Sequence, residues 1–286
     1  ERAGKYRRYA QFFALFGAAE DFPGRDLRRL RLGELFREEY AVFQREMAEN
    51  RDRVVHCRTA DQAADAFAAG KTAAFLSAEG GELLDCSLER LEEAWRLGVR
   101  AVNLTWNHAN DLSGSNAEET DRGLSAQGRA FVDQMGRLGM LVDVSHLSDP
   151  GFWDVAERVD GPFLASHSNS RAVFSHPRSL TDAQFTAIID HNGVAGLNLY
   201  ARFLGERADV DTVVAHLEHW LELGGEQNVC LGGDLDGCSL LPEGIKGIQD
   251  LDRLWERLLQ RNYSEALLRA LFFENLMRVV SEVCTM

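Results

Sequence analysis

Two histidines and three carboxylates stand where hydrophobic runs of this chain stop. His146 closes MLVDVSH, His167 closes PFLASH, Glu79 follows AAFLSA, and Asp234 and Asp236 end NVCLGGDLD. Imidazole and carboxylate are the usual ligands of zinc, and a carboxylate beside a polarised water can take its proton. Each residue alone has an ordinary reading: a core histidine bonded to backbone, a solvated loop glutamate, an Asp-Gly turn. Their recurrence at run ends points to catalysis, because a parallel barrel assembles its site from strand ends facing one mouth. One strand–helix unit separates His146 from His167, so in a barrel they occupy neighbouring strand tips and can share a zinc ion. Glu79 is followed by Gly80 and Gly81, small enough to let a ligand reach the backbone, and its carboxylate could bridge two cations.

The positioning elements are strand-like runs: residues 9–16, 73–80, 100–107, 140–146, 162–167, 193–200 and 228–234. Each is short, β-prone and bounded by glycine or polar residues. Helical patterns separate them, with polar starts at Ser125, at Asp149 before Pro150, and at Thr181. Strand and helix alternate without a proline- or glycine-rich linker, which predicts a single α/β domain over residues 1–286 built of parallel units. The expected fold is a (β/α)8 TIM-type barrel. It needs eight strands and seven runs are visible, so the first strand is expected ahead of Glu1. An open doubly wound sheet is the alternative, disfavoured because no glycine-rich phosphate turn occurs.

The formal charge of -14 argues against nucleic acid and anionic membrane surfaces as partners. Basic residues near the start (Lys5, Arg7, Arg8, Arg28, Arg29, Arg31) alternate with acids and apolar residues, as on a solvated helix face. Five cysteines, widely spaced and without a C-x-x-C pair, suggest neither disulfides nor a cysteine zinc site, which fits a cytoplasmic protein. No apolar run is long enough to span a membrane. The chain begins at Glu1 without methionine, which leaves open a removed targeting segment.

Several motifs occur in order: LSAEGGE, NLTWNHAN, GLSAQGRAFVDQMGRLGMLVDVSHLSDPGFWDV, ASHSNSRAVFSHPRSLTDAQ, GGDLDG and FFENLMRVV. With these the chain resembles the membrane (renal) dipeptidase family, zinc peptidases of the amidohydrolase superfamily, most strongly over residues 123–178. The resemblance implies a metallo-dipeptidase with two zinc ions per subunit and a bridging hydroxide that attacks the scissile carbonyl. Glu79 would bridge the metals, His146 and His167 would ligate one of them, and Asp234 would carry the proton, with Asp236 the competing candidate. Arg178 aligns with the arginine that holds the substrate's terminal carboxylate, a task suited to a forked guanidinium, with a surface arginine as the ordinary alternative. Small dipeptides, including those with a carboxyl-terminal D residue, are the implied substrates, and a homodimer the implied assembly.

Two departures stand out. The His-x-Asp pair that ligates the other zinc in the family occurs nowhere in the chain, which is accounted for if the missing first strand carries it. Where the renal-type enzyme has a substrate-contacting histidine, this chain has Trp106, with His108 two residues on; both are candidate substrate contacts. His176 reads as structural. His56, His191, His216 and His219 are assigned to helical or connecting segments. Two further readings stay open: a non-catalytic or metal-depleted binding barrel, and an amidohydrolase acting on another small amide, a lactone or a β-lactam, since one metal site can attack any of these carbonyls.

Overall fold

The computed structural model describes residues 2–17 and 32–285. The chain forms two compact units: Arg7–Val159 with Val280–Met286, and Glu1–Tyr6 with Asp160–Val279.

The first unit contains β1 (Ala10–Phe16), α1 (Leu32–Glu49), β2 (Val54–His56), α2 (Ala60–Ala68) and β3 (Thr72–Glu79). After these come α3 (Leu88–Leu97), β4 (Val99–Asn103), α4 (Ala126–Leu138), β5 (Leu141–Asp143) and α5 (Asp149–Ala156). All strand pairings are parallel, with β3 between β1 on one side and β2 and β4 on the other, and β5 beside β4. β3 is the core strand: Ala73 through Ala78 are buried and Phe75 stacks on Phe12 at 5.3 Å between ring centroids. A strand covered on both faces reads as a continuous apolar run, which is why AAFLSA is so legible. The register places Phe16, Glu79, Asn103 and Asp143 opposite one another in a row at the carboxyl ends of β1, β3, β4 and β5.

The second unit contains β6 (Leu164–Ser168), α6 (Asp182–Asp190), β7 (Val194–Leu197), α7 (Val210–Glu222), β8 (Val229–Leu231) and α8 (Leu251–Gln260). β7 pairs in parallel with both β6 and β8. Phe185 of α6 stacks on Trp220 of α7 at 4.7 Å, both fully buried. A Cβ on Gly232 would stand 1.8 Å from the Ser166 carbonyl oxygen. The first glycine of GGDLDG thus serves close backbone approach, and no larger residue fits.

Ser125 caps α4 through the Gly128 N–H, and Thr181 closes a capping box with Gln184 on α6, the polar starts visible in sequence. The cap of α5 is Ser148 rather than Asp149, which lies in the first turn beside Pro150. Among the described residues, seven strands fall in the expected runs, and a further short strand, β2, pairs with the start of β3 off the main strand order. Three residues, VVH, are too few to show a period. His56 accordingly sits on a strand, with its ring edge-on to Phe43 at 5.0 Å. Residues 2–8 form turns and bends rather than a helix, and Lys5 pairs with Asp252 at 2.7 Å. Arg28, Arg29 and Arg31 lie outside the described residues. Among the described residues no helix is long and apolar enough to cross a membrane.

Glu39 of α1 accepts the Phe16 backbone N–H, and burial pushes its carboxyl up to about 7 from the ordinary 4.5. A raised carboxyl binds its proton more tightly in the folded than in the unfolded chain, so the Glu39 contribution to stability is fully present below about pH 4.5 and is lost as pH rises through about 7. Glu39→Gln should flatten this fall, gaining on the order of 2 kcal/mol over the parent at pH 8 and little at pH 4.5. Urea unfolding at the two pH values measures it, and parallel curves for parent and variant would refute the assignment.

Candidate metal centre

Glu79 is the last residue of β3, and its carboxylate extends from the strand-end row formed with Asn103 and Asp143. His146 reaches that carboxylate from the turn after β5. Its backbone adopts φ +71°, a left-handed conformation that costs a non-glycine residue about 1–2 kcal/mol. The surroundings compensate. The His146 carbonyl accepts the Asn116 N–H at 2.8 Å and the Thr105 hydroxyl at 3.2 Å, the Asp143 carboxylate accepts the Ser145 N–H at 3.0 Å, and the Asn103 amide donates to the Ser145 carbonyl at 3.3 Å.

The imidazole is held at both nitrogens. Its Nδ1 lies 2.9 Å from Asn107 Oδ1 and its Nε2 lies 3.1 Å from Glu79 Oε1. An amide oxygen can only accept, so Nδ1 carries the hydrogen. The Nε2 lone pair would then face a carboxylate, both groups more than four-fifths buried. That arrangement is repulsive unless a cation, proton or metal, lies between. Glu79 and His146 of the first unit and His167 of the second each offer one ligand atom and make up the candidate metal-binding group among the described residues. Two imidazole nitrogens and a carboxylate suit zinc.

His167, on β6, is buried, and its Nδ1 lies 2.6 Å from Ser166 Oγ. Its carbonyl accepts Arg178 Nη2 at 3.2 Å and Asn198 Nδ2 at 3.4 Å. The same Asn198 amide donates to Asp234 Oδ2 at 3.2 Å. Asn198 is itself fixed by reciprocal bonds with Asn169, each 3.1 Å. It follows β7 by one residue, and an uncharged amide near a strand end attracts less notice in sequence. Asp236 differs from Asp234: its side chain is 91% exposed and 3.9 Å from Arg2.

Arg178 is buried rather than a surface arginine. His176 Nδ1 accepts its backbone N–H at 3.1 Å, and its guanidinium lies over the Phe203 ring at 5.7 Å. Trp106 stands between Phe16 and His146, with ring centroids 5.0 and 6.2 Å away. His108 is 5.9 Å from Trp106 and 3.4 Å from Glu118, with most of its side chain exposed. The other histidines make ordinary contacts: His216 accepts the Ser170 N–H, and His219 pairs with Asp182 at 2.8 Å.

Protein groups occupy the space that a side chain would take at the two glycines after Glu79. A Cβ on Gly81 would stand 2.4 Å from Leu112 Cδ1, and one on Gly80, at φ +108°, 2.6 Å from Glu82 Oε1. Glu82 receives the Asn110 amide at 2.6 Å, and burial holds its carboxyl above the usual range. This acid fastens the segment that follows β4, where Trp106 and Asn107 lie.

The family model for membrane dipeptidases, peptidase family M19, matches residues 5–286. An uncharacterized protein from the pqqA 5' region of Klebsiella pneumoniae is 36% identical over 217 residues, 72% of this chain and 80% of that protein. Among solved structures, a metallo peptidase from Rhodobacter sphaeroides, liganded with a phosphinate mimic of the dipeptide L-Ala-D-Ala, superposes with a TM-score of 0.89 at 26% identity, covering 99% of this chain and 89% of that one. The dipeptidase AC, a metallo peptidase of family M19, gives 0.87 at 27% identity, covering 99% and 88%. With the parallel strand–helix order, these likenesses show an α/β fold of the (β/α)8, TIM-type class.

Gly80→Ala should lower stability by about 2 kcal/mol, from left-handed strain and displacement of Glu82. Denaturant titration reads this, and an unchanged midpoint would contradict the packing described.

Proposed function

The chain belongs to the membrane dipeptidase family, peptidase family M19, and is a metallo-dipeptidase; from that premise we propose that it hydrolyses dipeptides with zinc held by Glu79, His146 and His167. The observation that carries the proposal is the buried His146 Nε2 aimed at the Glu79 carboxylate at 3.1 Å, a pair that a shared cation would reconcile. When bound there, zinc would polarise the scissile carbonyl and lower the pKa of water to near neutrality. The group supplies ligands for one ion; a second zinc sharing Glu79, as the family resemblance implies, would draw on ligands beyond it.

The protein's own side chains divide the remaining work. Asp234, steadied by Asn198 at 3.2 Å, would take the proton from water at its Oδ1 or Oδ2 and return it to the leaving amine. Asp236, turned to solvent, is left out of that role. Arg178 would pair its guanidinium with the substrate's terminal carboxylate, a charge-assisted contact that selects short peptides with a free carboxyl end. Trp106, packed beside His146, would wall the side-chain pocket, with His108 at its exposed rim. Because the Rhodobacter sphaeroides relative is liganded by an L-Ala-D-Ala mimic, dipeptides with a D residue at the carboxyl end are included among the proposed substrates.

Purified protein should contain zinc, hydrolyse L-Ala-L-Ala and L-Ala-D-Ala, and lose both metal and turnover in His146→Ala. Asp234→Asn should reduce kcat by about 10²–10⁴-fold, the usual weight of a general base, whereas Asp236→Asn should leave it within about twofold. Zinc-replete protein that leaves every dipeptide intact but cleaves a lactone or β-lactam would replace this reading with the other amidohydrolase chemistry.

A further inference from the structure

Asn107 lies in sequence between the two candidate substrate contacts, Trp106 and His108, and brings its Oδ1 to 2.9 Å from His146 Nδ1. We infer that Asn107 is a positioning residue that selects which nitrogen of His146 is free to bind metal. The inference rests on the zinc reading of the site and extends it to a residue outside the ligand set.

The chemistry follows from donor and acceptor inventory. A neutral imidazole carries one N–H and one lone pair, and the hydrogen bond at one nitrogen decides the other's state. An acceptor oxygen at Nδ1 holds the hydrogen there and turns the Nε2 lone pair towards Glu79, 3.1 Å away. Without that acceptor the ring would exchange tautomers, and in one of the two Nε2 would be blocked by its own hydrogen.

Asn107 is fixed in the same frame as its target. Its carbonyl accepts the Ser115 hydroxyl at 2.8 Å, and the adjoining Asn116 N–H donates to the His146 carbonyl at 2.8 Å. Ser115 also forms an antiparallel bridge with Leu147, the residue after His146. These bonds tie Asn107 and His146 to one frame and fix the amide relative to the ring. The amide oxygen has a further advantage at this position. It orients the ring without adding negative charge beside Glu79, so the centre's net charge is set by its ligands alone.

The test measures zinc affinity of metal-stripped protein by competition with a chromophoric chelator, for the parent, Asn107→Leu and Asn107→Asp. Leucine matches the shape without an acceptor and should weaken zinc binding about 10–100-fold, the range for lost outer-sphere partners; aspartate keeps the acceptor and adds a negative charge, and should bind zinc at least as tightly as the parent. Leucine binding zinc as tightly as the parent, or both variants equally weak, overturns the inference. Should the leucine variant fail to fold, long-range 1H–15N spectra of 15N-histidine-labelled zinc-bound parent decide: His146 must appear as the Nδ1–H tautomer, and an Nε2–H signal overturns the proposal. A parent that takes up no zinc overturns the metal reading itself, and this inference with it.

Discussion

A buried imidazole nitrogen facing a buried carboxylate is an arrangement that a protein interior tolerates only with positive charge between the two. The Glu79–His146 pair imposes this on the first unit, and much of the surrounding structure can be understood as holding the two groups in place. Glu79 cannot retreat, because it ends a strand that is paired on both sides. His146 cannot swing away, because its left-handed backbone is pinned through its carbonyl by Thr105 and Asn116 and its ring by Asn107. The strain at His146 is a local cost met by that network.

Amide side chains do most of the fastening. Asn103, Asn107 and Asn110 follow one another at intervals of a few residues after or at the end of β4, and each reaches a different group: the Ser145 carbonyl, the His146 ring, and the Glu82 carboxylate. Asn169 and Asn198 perform the same service in the second unit, where one amide of Asn198 serves both the His167 carbonyl and the Asp234 carboxylate. An amide suits such sites since it offers both a donor and an acceptor without charge. Charged fasteners would alter the electrostatics that metal binding and proton transfer depend on.

In the proposed reading, specificity would rest on a different principle from binding of the metal. The proposed ligands stand at or just after strand ends, where packing gives little freedom, whereas Trp106 and His108 stand on the segment following β4. Trp106 is anchored on one side by Phe16 and faces His146 on the other. His108 is exposed and engaged with Glu118. Loops on a rigid scaffold can vary in this way while the chemistry beneath them stays constant.

Apolar run and polar stop were enough, in sequence, to locate seven strands, the alternation with helices, and the candidate ligands Glu79, His146 and His167, because burial on both faces writes itself as an uninterrupted hydrophobic segment and a strand end as its interruption. Ser125 and Thr181 were legible for a similar reason: capping is local, and its partners lie within four residues. β2 was not, since three residues carry no period and its existence depends on pairing with β3. Nor were the surroundings of Asn107 and Asn198, the burial of Arg178, or the separation of Asp234 from Asp236. Two aspartates two residues apart are equivalent in a sequence; only tertiary structure places an amide against one and solvent around the other. Gly80 and Gly81 make the same point. Small residues beside Glu79 are visible in sequence, but what fills the space, the Glu82 carboxylate and Leu112, comes from elements brought together by folding. Local periodicity therefore determined the strands and the kinds of candidate ligand, and long-range contact decided the orientation, protonation and partners on which their chemistry depends.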